Sequence, residues 1–293
     1  MINRCRAWAC WGLLWIIFGL GGCQVGVGDV AVVEKPADLL VGDFVAGHNA
    51  NVDRLQDLNI YSQLVVEEVK ADGQMEINQL DVNIDLSLPH KMVIFIKKVS
   101  QDLYWLGCDE KHYWGIDLYA KKRHAFVGRN GVAVKAGRGR VVFPATPHDM
   151  IDLLGYSKLK WAGVSDKPAV LEYMDGGAGM RGFVFESMDG RRRYLIDPKT
   201  RVVLRIDLLD KQGYSRVTCR LKGHERVDVY GVAGEDPLLA MVYVIRGVGK
   251  AGSLVLRVDS VSSRKGKSKA IFEMAKVMKR YRVRADQIVD LNQ

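Results

Sequence analysis

The stretch "LDVNIDLSL" sets apolar Leu80, Val82, Ile84, Leu86 and Leu88 against polar Asp81, Asn83, Asp85 and Ser87. A strict period of two marks a strand with one dry and one wet face, and it excludes an amphipathic helix over the same residues. The pattern recurs along the chain. Val202, Leu204, Ile206 and Leu208 alternate, as do Val217, Cys219 and Leu221, and later Leu254, Leu256 and Val258. Phe183 with Phe185, and Tyr194 with Ile196, are shorter instances. Between the runs stand Asp72-Gly73, Asp175-Gly176-Gly177, Asp189-Gly190, Asp197-Pro198 and Gly213, each with the backbone freedom or preset φ that a reversal needs. Many short one-sided strands imply an antiparallel meander that curls around its apolar face, a mainly β fold with a few helices. Met75 and Ile77 are out of phase with the Leu80 run, which predicts a bulge near Asn78 or Gln79.

Three helices are legible. In "TPHDMIDLLGY", Thr146 is an N-cap, Pro147 the first helical residue, Asp149 an acid in the first turn and Gly155 a C-cap, with Met150, Leu153 and Leu154 free to cover something apolar. Ser268 to Tyr281 carries Ile271, Met274, Ala275, Met278 and Tyr281 at helical spacing, although its first half also fits a strand. Asn49 or Asn51 would cap a short helix through Leu58.

The N-terminus speaks of destination. Its apolar run from Ala7 to Gly22 makes a helix of roughly 24 Å, short of the roughly 30 Å hydrocarbon core of a bilayer. Arg4 and Arg6 precede it with no acid, as in a secretory signal. The sequence Leu20-Gly21-Gly22-Cys23 resembles the lipobox of bacterial lipoproteins, and the resemblance implies that Cys23 becomes the acylated first residue of the mature chain. Residues 1–22 are then the signal, 23–50 an acylated N-terminus and tether, and 51–293 the folded body. Gln24 stands where an Asp would favour inner-membrane retention, which leans towards a lipid anchor in the outer membrane facing the periplasm.

Loss of Arg4 and Arg6 lowers the formal charge from +9 to +7. Outside the cytoplasm this excess points to anionic headgroups or an acidic envelope protein, and not to nucleic acid. Cys5 and Cys10 leave with the signal and Cys23 is acylated, so Cys108 and Cys219 remain, either as a disulfide or as two buried thiols.

With these features the chain resembles the LolA/LolB-like superfamily of outer-membrane lipoprotein carriers and receptors, in particular lipid-anchored members. The resemblance is carried by the lipobox at Cys23, "LPHKMVIFIKK", the aromatic hairpin "DLYWLGCDEKHYWGIDL", "TPHDMIDLLGY" and "RYLIDPKTRVVLRIDLLDKQG". It implies a curved antiparallel sheet forming an incomplete, half-open β-barrel capped by short helices, with a concave apolar face that takes acyl chains. Candidate residues for that face are Val82, Ile84, Leu86, Trp105, Trp114, Phe183, Phe185, Leu204 and Ile206. Trp105 and Trp114 either line the cavity mouth or stabilise their hairpin as cross-strand aromatics. The basic runs at 120–124, at Arg191, Arg192 and Arg193, and at 264–269 either meet anionic headgroups or keep loops solvated.

No enzymatic signature stands out. G-x-S-x-G, H-E-x-x-H and C-x-x-C are absent, the six histidines are scattered, and "GVGKAGS" lacks phosphate-loop spacing and reads as a hairpin turn. No metal and no cofactor is expected. The expected function is binding of acyl chains or lipoproteins for lipid handling in the envelope. The alternative is an anchored envelope scaffold with a filled barrel, no ligand and a protein partner.

Overall fold

The structure, a computed structural model, describes residues 31–32, 41–69, 73–121, 123–130, 145–160, 170–175, 178–187, 189–197, 199–229, 235–247, 252–264 and 268–292, with the backbone alone for 31–32, 41, 69, 170–175, 178–181, 183 and 185. Cys23 and the leader lie outside them. The elements in chain order are β1 (Ala31–Val32), α1 (Val41–Arg54), β2 (Leu58–Val69), β3 (Met75–Ser87), β4 (Lys91–Lys98), β5 (Gln101–Cys108), β6 (His112–Asp117), β7 (His124–Arg129) and α2 (Pro147–Leu153). There follow β8 (Val170–Asp175), β9 (Ala178–Glu186), β10 (Arg192–Ile196), β11 (Val203–Leu209), β12 (Ser215–Arg226), β13 (Leu238–Gly247), β14 (Gly252–Ser263), α3 (Met274–Arg280) and β15 (Ile288–Asp290).

All strands join one sheet in the order β1-β8-β9-β10-β11-β12-β13-β14-β2-β3-β4-β5-β6-β7-β15. The ladders are antiparallel except β15, which runs parallel to β7. The ends of the order do not meet, so the sheet is not closed into a barrel. It is nonetheless strongly curled. The short helix α2 touches β4, β5, β6 and also β11. In a flat sheet β11 and β4, six steps apart in the order, would lie about 29 Å from each other at about 4.8 Å per step, far beyond the reach of a helix about 10 Å long.

Five of the hairpin turns share one device. Asp109, Asp117, Asp189, Asp197 and Asp210 each accept hydrogen bonds through a side-chain oxygen from backbone N–H groups a few residues ahead, or two ahead in the case of Asp189, and so replace the ladder where it ends.

Helix α2 forms as the sequence predicts. Thr146 and Asp149 make a reciprocal capping box, Pro147 opens the helix, and Gly155 beyond it takes φ 75°. The Ser268–Tyr281 segment instead splits into a 3₁₀ turn, Lys269–Phe272, and α3, because Glu273 is extended between them. The bulge expected near Asn78 is absent: β2 and β3 pair without a break from Val69 opposite Met75 to Asn59 opposite Asp85. Met75 and Ile77 therefore sit exposed on the outer face. A register shift does occur in β11, where Leu195 faces Arg205 and Ile196 faces Val203. Leu204 occupies the extra position, so Val203 rather than Leu204 enters the core.

Two apolar cores result. The inner one joins Val82, Ile84 and Leu86 of β3 to Ile206 of β11, Leu221 of β12 and Tyr243 of β13, roofed by α1 and α2. The outer one packs Val93, Trp105, Trp114 and Ile116 beneath Phe272, Val277 and Met278. On the outer side Arg264 pairs with Asp85 and lies over the Phe272 ring, tying the segment after β14 to the sheet.

Candidate functional site

Helix α1 was expected to start at Asn49 or Asn51, but it begins at Val41, and both asparagines lie inside it. Their amides do what a cap would not. Asn49 Nδ2 donates to Leu159 O while Leu159 N donates back to Oδ1, at 3.0 and 2.8 Å. Asn51 exchanges the same pair of bonds with Leu238 at 2.9 and 2.7 Å. His48 Nε2 donates to Ser157 O at 3.0 Å, and Asp53 pairs with Lys158 at 2.6 Å. These bonds strap α1 between the segment that follows α2 and the start of β13. Phe44, Val45 and Val52 of the helix, with Leu55 just beyond it, are buried. A boundary at residue 50 therefore cuts through a helix that belongs to the body.

Beside α1 lies a cavity of about 310 Å³. Its lining is about evenly apolar and polar: Phe44, Leu55, Leu154, Leu221, Leu239 and Tyr243 belong to the inner core, and His48, Asn51, Tyr156 and His224 bring polar groups to it. Small residues leave the room. Gly47 and Ala50 face the cavity from α1, Ala240 from β13 and Gly155 from the end of α2. A Cβ added at Gly47 would find nothing within 4 Å.

The buried polar groups of the lining are paired. The Tyr156 and Tyr243 hydroxyls lie 3.0 Å apart, and burial pushes both phenols above their ordinary range. Burial likewise holds His48 and His224 below the usual histidine range, against smaller opposing hydrogen bonds with the backbone of Ser157 and Val203. The rim is charged, with Arg54, Arg201, Arg226, Glu235 and Asp43. Glu235 is shared between Arg54 at 3.5 Å and Arg226 at 3.3 Å, and all three are solvent-accessible.

None of the seven described side chains among the nine picked from the sequence lines this cavity, and those of Phe183 and Phe185 lie outside the description. Val82, Ile84, Leu86 and Ile206 lie in the filled part of the same inner core. Leu204 is half-buried outside it because of the β11 bulge. The ladder sets Phe183 opposite Ile196 and Phe185 opposite Tyr194. Trp105 and Trp114 lie on the opposite face, in the outer core, where Trp114 covers Gly107 so closely that a Cβ there would stand 2.7 Å from the ring. Their place under α3 is that of packed cross-strand aromatics.

Among the described residues, four arginines of the basic runs, Arg123, Arg192, Arg193 and Arg264, are engaged within the molecule. Arg192 pairs with Asp152 of α2 at 2.8 Å and with Asp189 at 3.4 Å, and Arg193 pairs with Glu186 at 2.7 Å, while Arg191 is exposed. Arg123 donates to Tyr281 O and lies over its ring. Cys108 and Cys219 are separate buried thiols, and burial raises both above the ordinary thiol range. Among the described residues no three His, Cys, Asp or Glu side chains cluster as a metal site, and no helix is long and apolar enough to cross a membrane.

No family model and no curated protein matches the chain. Solved structures do resemble it. A DUF1329 family protein from Desulfovibrio piger ATCC 29098 aligns with 80% of this chain and 95% of its own, at 12% identity and a TM-score of 0.43. A domain from Vibrio parahaemolyticus described as an outer membrane lipoprotein-sorting protein covers 81% and 97%, at 10% identity and 0.45. A LolA superfamily protein from Nitrosomonas europaea covers 75% and 93%, at 10% identity and 0.44. The structural neighbours are thus DUF1329 and LolA superfamily proteins. At such scores they carry no argument about ligand, anchor or mechanism, which rest on this chain's own residues.

Proposed function

We propose that the chain is a lipoprotein, anchored through an acylated Cys23 in the outer membrane and facing the periplasm, that binds an acyl chain between α1 and strands β11 to β13 for lipid or lipoprotein handling. The observation that carries this reading is the cavity of about 310 Å³ inside the apolar inner face. Ligand pockets start near about 300 Å³, and this one sets inner-core side chains on one side against charged groups at its rim, the two surfaces that an acyl-bearing amphiphile presents. Each buried methylene contributes about 0.8 kcal/mol, so a chain filling the cavity gains several kcal/mol before ordering costs. The lipobox and the length of the leader support the anchor.

The test is native mass spectrometry with lipid extraction on the full chain carrying Cys23→Ser. A co-purifying acyl ligand that is lost in Gly47→Trp, whose new side chain would fill the cavity, is the expected result. A protein that stays empty when acyl ligands are offered would sink the proposal. Mass analysis of the wild-type N-terminus checks the anchor separately, since an unmodified Cys23 removes it.

A further inference from the structure

Three features of the cavity, taken with the acyl-binding reading on which this inference rests, narrow the ligand. The first is size. At about 310 Å³ the space stands at the small end of ligand pockets, which run from about 300 to 1,000 Å³, a size that suits one chain of moderate length. The second is the sign of the rim. Arg54, Arg201 and Arg226 face it against Glu235 and Asp43, and the single Glu235 carboxylate is shared between Arg54 and Arg226 at long distances. Arg201 forms no ion pair among the described residues. The third is the backbone at Arg201, which has φ 58° in the tight turn that Asp197 closes. A left-handed residue in such a turn is ordinarily glycine, or asparagine. Arginine there strains the backbone and places a guanidinium at the cavity mouth, and retained strain clusters at functional sites.

We infer that the cavity takes a single-chain amphiphile with an anionic head, its carboxylate or phosphate held by Arg201 and Arg226 while Glu235 gives up its place beside Arg226. The side of the lining that belongs to the inner core receives the tail, and guanidiniums are the side chains best shaped for a planar or tetrahedral oxyanion. Glu235 acts as a built-in stand-in for the head, holding Arg54 and Arg226 when no ligand is present.

Binding to the full Cys23→Ser chain is measured with three dodecyl probes: dodecanoate, dodecyl phosphate and the uncharged monolauroylglycerol. Both anions are expected to bind about tenfold or more tightly than the neutral probe, and the tighter of the two names the head group. Arg226→Glu, and Arg201→Gly, which also relieves the left-handed backbone, should each weaken the anions about tenfold and leave monolauroylglycerol unchanged. Glu235→Gln should tighten the anions. Equal binding of all three probes, unaffected by the arginine changes, would overturn the anionic head while leaving acyl binding intact. Phosphatidic acid with two long chains binding as tightly as dodecyl phosphate would overturn the single chain. Failure of every probe, or binding indifferent to Gly47→Trp, would overturn both this inference and the reading beneath it.

Discussion

Helices α1 and α2 lie on the inner face of the same curled sheet, yet the cavity opens beside α1. The difference is in what each turns inward. α2 presents Met150, Ile151 and Leu153 in succession, with Leu154 at its end, all buried, and is pinned at its rim by Arg192 to Asp152 and by Arg216 to Asp149. Over β4 to β6 those side chains close the core, and beyond the sheet the outer core under α3 buries the second face as well. α1 interrupts its apolar residues with Gly47 and Ala50, and it is positioned by hydrogen bonds from His48, Asn49 and Asn51 rather than by packing alone. One half of the sheet is fixed by filled volume, the other by directional bonds around an unfilled one.

The largest predicted effect lies in the filled half. Trp114→Ala should lose about 3–5 kcal/mol in urea denaturation, because the indole is fully enclosed by neighbours that cannot collapse around the void. Gly107→Ala, which drives a methyl into the same ring, should cost about 1–3 kcal/mol. In the strapped half, Asn51→Ala strips the partners from Leu238 N and O and should cost about 1–3 kcal/mol. Its signature is local: hydrogen exchange should quicken in α1 before α2. If exchange rises equally in both helices, the contrast between them fails.

Acid should act on the strapped half too. His48 and His224 are held below the ordinary range in the folded state, so below roughly pH 6.5 the unfolded chain takes up more protons than the folded one. Their contribution to stability is intact above that value and is lost as pH falls towards the lowered folded-state values. A double His48→Gln, His224→Gln variant should show a flatter dependence of Tm on pH than wild type. The smallest effect is a gain: Gly47→Ala should stabilise by about 0.5–1 kcal/mol, since it removes a helical glycine and meets no atom. A loss instead would mean that the space beside α1 is smaller than described.

Much of the sheet was legible because alternation and turn chemistry are local. Leu80 to Leu86, Val217 to Leu221, and the capped helix at Thr146 could be read from adjacent residues alone. What could not be read depends on partners or on missing volume. The shift at Leu204 arises from pairing with β10, and nothing in the alternation of β11 announces it. Trp105 and Trp114 look like a cavity mouth in one dimension, but strand alternation carries them to the face away from Tyr113, which joins the inner core. The cavity itself is built from Gly47, Ala50 and Ala240, residues whose contribution is what they lack, so no motif marks them. Arg201 was visible within the turn after Asp197, and only its left-handed backbone sets it apart.

The middle of the sheet carries one more consequence. Strand β2 is held on one side by β3, its neighbour in the chain, and on the other by β14, with Leu64 against Leu256 across most of the chain's length. Hairpins on either side of that seam involve short loop closures and can assemble early, whereas the seam must close the longest loop in the molecule. A chain that emerges N-terminus first therefore holds β2 unpaired on that side until one of its last strands arrives. Cut short of β14, it leaves both β2 and β13 as open edges, each a template for pairing with another chain.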